Sequence, residues 1–201
     1  MSRSATRSSM SPDEYLAWER EQEGKHEFFH GEVFAISDLG AGASPRHNAL
    51  CGRVIALASA GSPPSCVVLT SDQRVTITGA GSDQGATGGR YVYPDVSIVC
   101  SPLELESGDV LRNPTALVEV ISQSTEQYDR GLKWEGYQRI PSLSDYVLVS
   151  QTEPRIEHYR RADDGSWVYR AAGPGQSVTL ACGTTLPVDQ LFAGVLTLPG
   201  D

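Results

Sequence analysis

Two apolar, strand-forming stretches of this sequence each contain a carboxylate. Asp95 begins the run DVSIVC, and Glu119 lies inside the run ALVEVIS. Burying an unpaired charge in such a run costs several kcal/mol, so the acid is normally paired with a basic group or a metal. For either acid alone, a place at a strand end or an ion pair with an arginine explains the sequence equally well. The two acids together require a fold that brings a cation to both strands.

A lysine on the next predicted helix is a candidate for part of the positive charge that compensates these acids. The motif DRGLK follows Glu119, and its Asp129 and Lys133 share one helix face at i and i+4. The strand runs on for about 10 Å after Glu119 at roughly 3.3 Å per residue, and the helix returns about 12 Å to Lys133 at roughly 1.5 Å per residue. If the helix folds back along the sheet, Lys133 lies level with Glu119. Lysine is informative here, because the chain has 14 arginines and only two lysines.

Two carboxylates, an ammonium group and room for a divalent cation suit the hydrolysis of phosphodiester bonds. Hard oxygen ligands select Mg²⁺ or Mn²⁺, which activates water and neutralises developing charge. The lysine would orient the water or stabilise the phosphorane.

The remaining sequence predicts one α+β domain over residues 11–201, preceded by a disordered tail at 1–10. We expect a central mixed β-sheet flanked by helices and a C-terminal antiparallel meander. A Pro after Ser11 and after Ser44 marks two helix starts, and His30-Gly31 marks a tight hairpin turn. The predicted helices are 12–22, 44–61 and 125–139; the hairpin strands are 25–29 and 32–37; the other strands are 66–70, 72–78, 91–100, 116–122, 146–150, 155–161 and 166–171; and a mobile loop is expected at 79–90.

Composition limits the partners and the compartment. The net charge of -9 argues against a protein that coats nucleic acid, so any phosphate-binding patch must be local. No apolar stretch has the length of a membrane span, and the N-terminal residues lack a signal-peptide core, so a cytoplasmic protein is expected. The four cysteines include no C-x-x-C pair and are predicted to be buried thiols.

The order of motifs along the chain resembles the Uma family of restriction-endonuclease-like proteins, within the PD-(D/E)XK nuclease superfamily. The resemblance covers nearly all of residues 11–195. It implies a restriction-endonuclease-like core and Mg²⁺- or Mn²⁺-dependent nuclease chemistry, with Asp95, Glu119 and the main-chain carbonyl of Val120 as metal ligands. The motifs that carry it are KHEFFHGEV, SPRHN, YPDV, LVEVISQST, DRGLK and YQRIPSLSDYVLV.

The sequence departs from the superfamily pattern at Ile121, where the motif lysine would stand. By the resemblance, Lys133 on the neighbouring helix replaces it. Glu27 matches an acid in the family's first hairpin, and its implied role is to complete the metal shell through water.

Two further residues have open roles. His47 falls on a family motif, but a histidine near a helix start is also expected as a capping or core residue. Asp129 is expected to orient Lys133 or cap the helix rather than bind metal.

The leading hypothesis is a cytoplasmic, Mg²⁺-dependent endonuclease that acts on DNA, with no membrane association and, by the resemblance, as a homodimer. The alternative is a catalytically inactive nuclease-fold module for interaction or DNA binding. The candidate phosphate contacts are Lys25, Arg46, Arg53, Arg112, Arg130 and Arg139.

Overall fold

The structure is a computed structural model that describes residues 7–36, 44–77, 89–122 and 125–200. Its helices are α1 (Pro12–Glu19), α2 (Pro45–Gly61), α3 (Glu126–Tyr128), α4 (Trp134–Tyr137) and α5 (Val188–Phe192), with a π-helical turn, Asp129–Lys133, between α3 and α4. Its strands are β1 (His26–Phe29), β2 (Glu32–Ala35), β3 (Val67–Thr70), β4 (Arg74–Thr76), β5 (Arg90–Val92), β6 (Val96–Val99), β7 (Leu105–Glu106), β8 (Val110–Leu111), β9 (Ala116–Ile121), β10 (Asp145–Ser150), β11 (Ile156–Arg161), β12 (Trp167–Ala172), β13 (Ser177–Thr179) and β14 (Thr185–Pro187). The predicted α+β class is confirmed. Residues 79–88 of the expected mobile loop lie outside the described residues.

The described strands form two six-stranded sheets and one two-stranded sheet. The second six-stranded sheet is the predicted central sheet, with strand order β12-β11-β10-β9-β6-β3. Strands β9 and β10 are parallel, and the helical segment from α3 to α4 connects them. Strands β10, β11 and β12 form the predicted antiparallel meander. Helix α2 packs Leu50, Val54 and Ala58 against one face of this sheet. The helical segment covers the other face, where Tyr137 packs with Leu117.

The first sheet, with order β2-β1-β5-β4-β8-β7, is an additional layer that the sequence did not predict. It begins with the predicted hairpin, whose turn residues His30 and Gly31 have φ angles of 48° and 90°. Such angles belong to a type I′ turn, whose twist matches that of paired strands. From the predicted N-terminal tail, Arg7 pairs with Val33 of β2, while residues 1–6 lie outside the described part of the chain.

The predicted strand over residues 91–100 is wrong, because the chain changes sheets within it. β5 pairs with β1 and β4 in the first sheet, whereas β6 pairs with β3 and β9 in the second. Pro94 lies at the break; it lacks an N–H for a ladder hydrogen bond and restricts the residue before it. Asp95 therefore lies where the chain passes from one sheet to the other.

The predicted helix over residues 125–139 contains a π-helical turn in its middle. This turn holds Asp129 and Lys133, and both side chains are buried. π-helical turns are rare and frequently occur at functional sites. The turn is therefore a second reason to place the candidate site at this segment.

The described C-terminal elements β13, β14 and α5, which the sequence did not predict, pack against α2. Near them, the prediction of four buried thiols is wrong: two of the cysteines are bonded to each other, and the free thiols of Cys51 and Cys182 are only half-buried. Cys66 and Cys100 form a disulfide, because they face each other just beyond the last pair of the β3–β6 ladder, Val67 and Val99. Within the described residues, no helix has the length and apolar character to cross a membrane.

Candidate active site

Glu119 and Lys133 form a buried ion pair at the centre of the site. Lys133 Nζ lies 2.9 Å from Glu119 Oε1, and the two side chains are 6% and 3% exposed. The Tyr137 hydroxyl donates to the same oxygen at 2.7 Å. Strand β9 positions the acid and the helical segment positions both donors, as the length estimate from the sequence predicted for Lys133.

Glu27 reaches the same ammonium from the first sheet. Its Oε1 lies 3.5 Å from Lys133 Nζ, and its side chain is 1% exposed. The Tyr128 hydroxyl donates to Glu27 Oε2, and the Tyr93 N–H donates to Oε1 at 3.3 Å. The hairpin acid and the helix lysine therefore share one buried cluster, although they belong to different layers.

Asp129 is the third carboxylate around Lys133, and its Oδ1 lies 3.4 Å from Nζ. Its main-chain carbonyl accepts a hydrogen bond from the Tyr146 hydroxyl at 3.1 Å. The geometry agrees with the predicted orienting role: Asp129 fixes the ammonium from the helix side, while Glu119 contacts it from the sheet.

Asp95 lies at the more open side of the cluster. Its Oδ2 accepts a hydrogen bond from the Val120 N–H at 2.7 Å and lies 3.4 Å from His47 Nε2. The side chains of Asp95 and His47 are each 18% exposed. The β6–β9 register pairs Val96 with Val118, so one step further along it brings Asp95 opposite Glu119.

His47 lies in the first turn of α2, and the capping role that the sequence left open for it belongs to Ser44. The backbone N–H of His47 donates to the Ser44 hydroxyl, which caps α2, while its ring contacts Asp95. Ligand atoms of His47, Cys51 and Asp95 lie within 4.8 Å of one another. Burial raises the pKa of the Cys51 thiol, and the negative charges of Asp95 and Glu119 add to this, so the thiol keeps its proton.

The carboxylates of the cluster differ in their electrostatics. Burial raises the pKa of Glu119 well above its usual range; the ammonium of Lys133 offsets this only in part, and repulsion from Asp129 and Asp95 adds to it. Burial also raises the pKa of Asp129. Burial opposes ionisation of Asp95 too, but hydrogen bonds from His47 and Val120 lower its pKa. The cluster therefore sets the carboxyl groups of Glu119 and Asp129, whose protonated forms are favoured by burial, beside Asp95, whose ionised form is favoured by its hydrogen bonds.

The ammonium of Lys133 is held firmly in its charged form. Burial disfavours the charge, but the carboxylates of Glu119, Glu27 and Asp129 outweigh this effect and raise the pKa of Lys133 well above its usual range. Lys133 acts as a fixed cation at neutral pH and not as a base.

Three residues of the site were missed in the sequence: Tyr128, Tyr137 and Cys51. Tyr137 had a usable signal, because Asp129, Lys133 and Tyr137 are spaced at four-residue intervals along one helix. Cys51 had the same kind of signal, because it lies four residues after His47 on α2 and contacts its ring. Tyr128 carries no such signal, because its partner Glu27 comes from a distant segment.

Five of the six basic residues predicted to contact phosphate already bind protein groups. Their partners include Asp72 for Lys25, the Leu198 carbonyl for Arg46, the Gln190 carbonyl for Arg53, Glu157 for Arg130 and Glu135 for Arg139. Among the six, and within the described residues, the exposed side chain of Arg112 makes no such contact. The other five would have to leave these partners to bind a phosphate.

A cavity of about 770 Å³ lies between β11, β12 and β13, away from the cluster. By strand alternation it is on the opposite face of the second sheet from Glu119. Two of its lining residues, His158 and Arg160, contact the fully buried Asp145 at 2.7 and 3.1 Å. Both side chains are thus bound to an internal acid on the opposite face of the sheet from Glu119, so this cavity does not extend the candidate site.

The chain matches the Uma2 family, described as "Putative restriction endonuclease", over residues 12–191. The chain belongs to the Uma2 family. Two uncharacterized proteins of Synechocystis sp. are similar to this Uma2 chain. One is 34% identical over 188 residues, which is 92% of this chain and 93% of the relative. The other is 31% identical over 169 residues, which is 82% of this chain and 88% of the relative.

A solved structure supports the fold of this Uma2 chain. It is that of a protein from Anabaena variabilis described as a "putative nuclease belonging to DUF820", with a TM-score of 0.66. The alignment covers 93% of this chain and 99% of that chain at 16% sequence identity. At this identity the likeness establishes a shared fold.

Proposed function

We propose that this Uma2 protein is a metal-dependent nuclease that hydrolyses DNA phosphodiester bonds at the cluster of Asp95, Glu119 and Lys133. One observation carries the proposal: a lysine ammonium is held 2.9 Å from a buried carboxylate, with a second, ionised carboxylate on the adjoining strand. The family description and the description of the solved relative agree with a nuclease role.

The donor set fits a divalent cation such as Mg²⁺ or Mn²⁺. Lys133 and Tyr137 both contact Oε1 of Glu119, and the Val120 N–H and His47 both contact Oδ2 of Asp95. The second oxygen of each carboxylate carries none of these contacts and is our proposed ligand atom, with the Val120 carbonyl as a further ligand. Repulsion from Asp129 and Asp95 contributes to the raised pKa of Glu119, and this is a second reason to expect a cation.

A bound cation would activate water and neutralise charge that develops on the phosphate. The residues of the chain have their own tasks. Tyr137 fixes the rotamer of Glu119, and His47 keeps Asp95 ionised. Lys133, a cation at neutral pH, is placed to stabilise negative charge on the scissile phosphate. We propose that Glu27 positions this ammonium and completes the metal shell through water.

The DNA substrate and the homodimer belong to the same proposal. With a net charge of -9, the chain must confine its attraction for phosphate to the neighbourhood of the site. Two copies related by a two-fold axis would present two such sites along one duplex. Sedimentation analysis of the purified protein tests the dimer, and a single monomeric species would refute it.

A second candidate, a nuclease-fold module without catalysis, is favoured by the closure of the cluster. Glu27, Glu119 and Lys133 are almost fully buried, and their charges already compensate one another in part. On this hypothesis the ion pairs hold the two sheets together, and Asp95 does not contact a substrate.

Cleavage of supercoiled plasmid and of single-stranded DNA, with Mg²⁺, Mn²⁺ or chelator, separates the two candidates. The nuclease hypothesis expects cleavage that chelator and Asp95→Ala abolish. Asp72→Ala is the matched control, because Asp72 is an 83% exposed acid paired with Lys25. Absence of cleavage by a folded protein that binds the metal supports the module, and cleavage that survives Asp95→Ala refutes the assigned site.

A further inference from the structure

A three-cysteine group lies at the other end of β6 from the candidate active site. The Sγ atoms of Cys66, Cys100 and Cys182 all lie within 4.8 Å of one another. Cys66 and Cys100 form the disulfide between β3 and β6, and Cys182 is a free thiol in the turn between β13 and β14. All three side chains are half-buried, so solvent reaches the group.

The third sulfur is held beside the disulfide by its turn. The Leu180 N–H donates to the Thr184 carbonyl at 2.8 Å, which closes the turn that carries Cys182. The Thr184 hydroxyl lies 3.1 Å from Cys182 Sγ and 2.7 Å from the hydroxyl of Ser62, at the end of α2. Thr184 is fully buried, so the turn is anchored against the segment that leads to Cys66.

We propose that Cys66, Cys100 and Cys182 form a thiol–disulfide exchange site, whose external substrate is a dithiol. The Cys182 thiolate attacks one sulfur of the Cys66–Cys100 bond; a new S–S bond to Cys182 forms as the old one breaks, and the displaced sulfur leaves as a thiolate. This internal step needs no oxidant or reductant. A dithiol in solution completes reduction of either disulfide and becomes a disulfide itself.

Exchange moves the covalent link from within one sheet to a position between two parts of the fold. The Cys66–Cys100 bond closes a separation of 34 residues inside the second sheet. A bond to Cys182 instead joins β3 or β6 to the β13–β14 hairpin across a longer stretch of chain. A longer closed loop restricts the unfolded chain more, so the exchanged form is expected to hold the C-terminal hairpin more firmly.

Disulfide mapping of the full-length protein tests the proposal. Each variant is oxidised with the same glutathione buffer, its free thiols are alkylated, and it is digested at acid pH without reduction. We expect the Cys66–Cys100 link in the wild-type protein, a Cys100–Cys182 link in Cys66→Ser, and a Cys66–Cys182 link in Cys100→Ser. Cys51→Ser is the matched control and should keep the wild-type link, because Cys51 lies outside the group.

A second measurement needs no variant of the disulfide itself. Wild-type protein treated with less than one equivalent of dithiothreitol and quenched over time should show transient links to Cys182, and Cys182→Ser should show none. The proposal is overturned if the two cysteines of the group that remain in Cys66→Ser, or in Cys100→Ser, are recovered as alkylated thiols under conditions that oxidise the wild type. It is also overturned if no link to Cys182 appears during partial reduction. Neither outcome depends on nuclease activity.

Discussion

The hydroxyl of Tyr128, in α3, donates a hydrogen bond to Glu27 in the first hairpin, so a buried contact joins the first sheet to the helical segment that covers the second sheet. Lys133, one helical turn further on, contacts the same carboxylate. The cluster is thus both the proposed centre of chemistry and a junction between layers. Substitutions in it must be tested for stability as well as for cleavage.

Lys133→Met should lower stability at neutral pH. The change leaves Glu119, Glu27 and Asp129 without their common cation, and breaking a buried ion pair in this way costs about 3–5 kcal/mol. The loss should be smaller near pH 5, because Glu119 and Asp129 have raised pKa values and take up protons more readily. Urea unfolding at both pH values measures the difference, and equal stability of variant and wild type at pH 7 would contradict the assignment.

Lys133→Arg separates catalysis from structure. A guanidinium keeps the charge and should recover part of the lost stability, but it cannot place one compact donor at the position of Nζ. We therefore expect a better folded variant than Lys133→Met with equally low cleavage. Recovery of both stability and cleavage would mean that only the charge at this position matters.

Tyr137→Phe should cost about 1–3 kcal/mol of unfolding free energy, because it removes a hydrogen bond to buried, partly charged Glu119. Tyr169→Phe is the control. Its hydroxyl meets Arg155 at the surface, where water replaces the contact, and its effect should be near zero. Urea unfolding of both variants provides the comparison, and equal losses would show that the hydroxyl of Tyr137 has no special role.

Mn²⁺ should bind and stabilise the protein at neutral pH. A cation near Asp95 and Glu119 relieves the repulsion that raises the pKa of Glu119, so the melting temperature should rise with Mn²⁺ concentration. Calorimetric titration should show binding that Asp95→Ala and Glu119→Ala abolish and Asp72→Ala retains. Unchanged binding in the first two variants would remove the site.

Glu157 gives a pH-dependent contribution outside the site. Its hydrogen bonds with Arg130, and then Arg155, lower its pKa from 4.5 to about 2 despite partial burial. Because the folded-state pKa is lowered, this stabilisation is complete above about pH 4.5 and is lost as the pH falls toward 2. Glu157→Gln should therefore unfold more easily than wild type at pH 7, and the gap should shrink at acid pH. A gap that is constant over this range would contradict the ion pairs.

The parts of the fold that the sequence predicted correctly have local causes. The turn at His30-Gly31 needs positive φ angles, and Ser44-Pro45 supplies both a cap and a first helical residue. The approach of Lys133 to Glu119 was also predictable, because the lengths of one strand and one helix determine it. Each of these features depends on a short stretch of chain.

The rest depends on contacts between distant segments. Nothing in the pattern of residues 91–100 assigns β5 and β6 to different sheets, although Pro94 marks a place where a ladder can break. Glu27 reaches the cluster because the first sheet packs against the second. Its role was suggested by the resemblance, and its position could not be calculated from spacing.

The origin of Glu27 and Lys133 in separate layers has a consequence for fragments of this protein. A fragment that contains only the β1–β2 hairpin retains Glu27 but lacks Lys133. A fragment that contains only β9 and the helical segment after it retains Lys133 and Glu119 but lacks Glu27. Two such pieces could regain the complete set only by associating with each other. Because neither piece carries Asp95, their association would restore the ion pairs around Lys133 but not the proposed metal site.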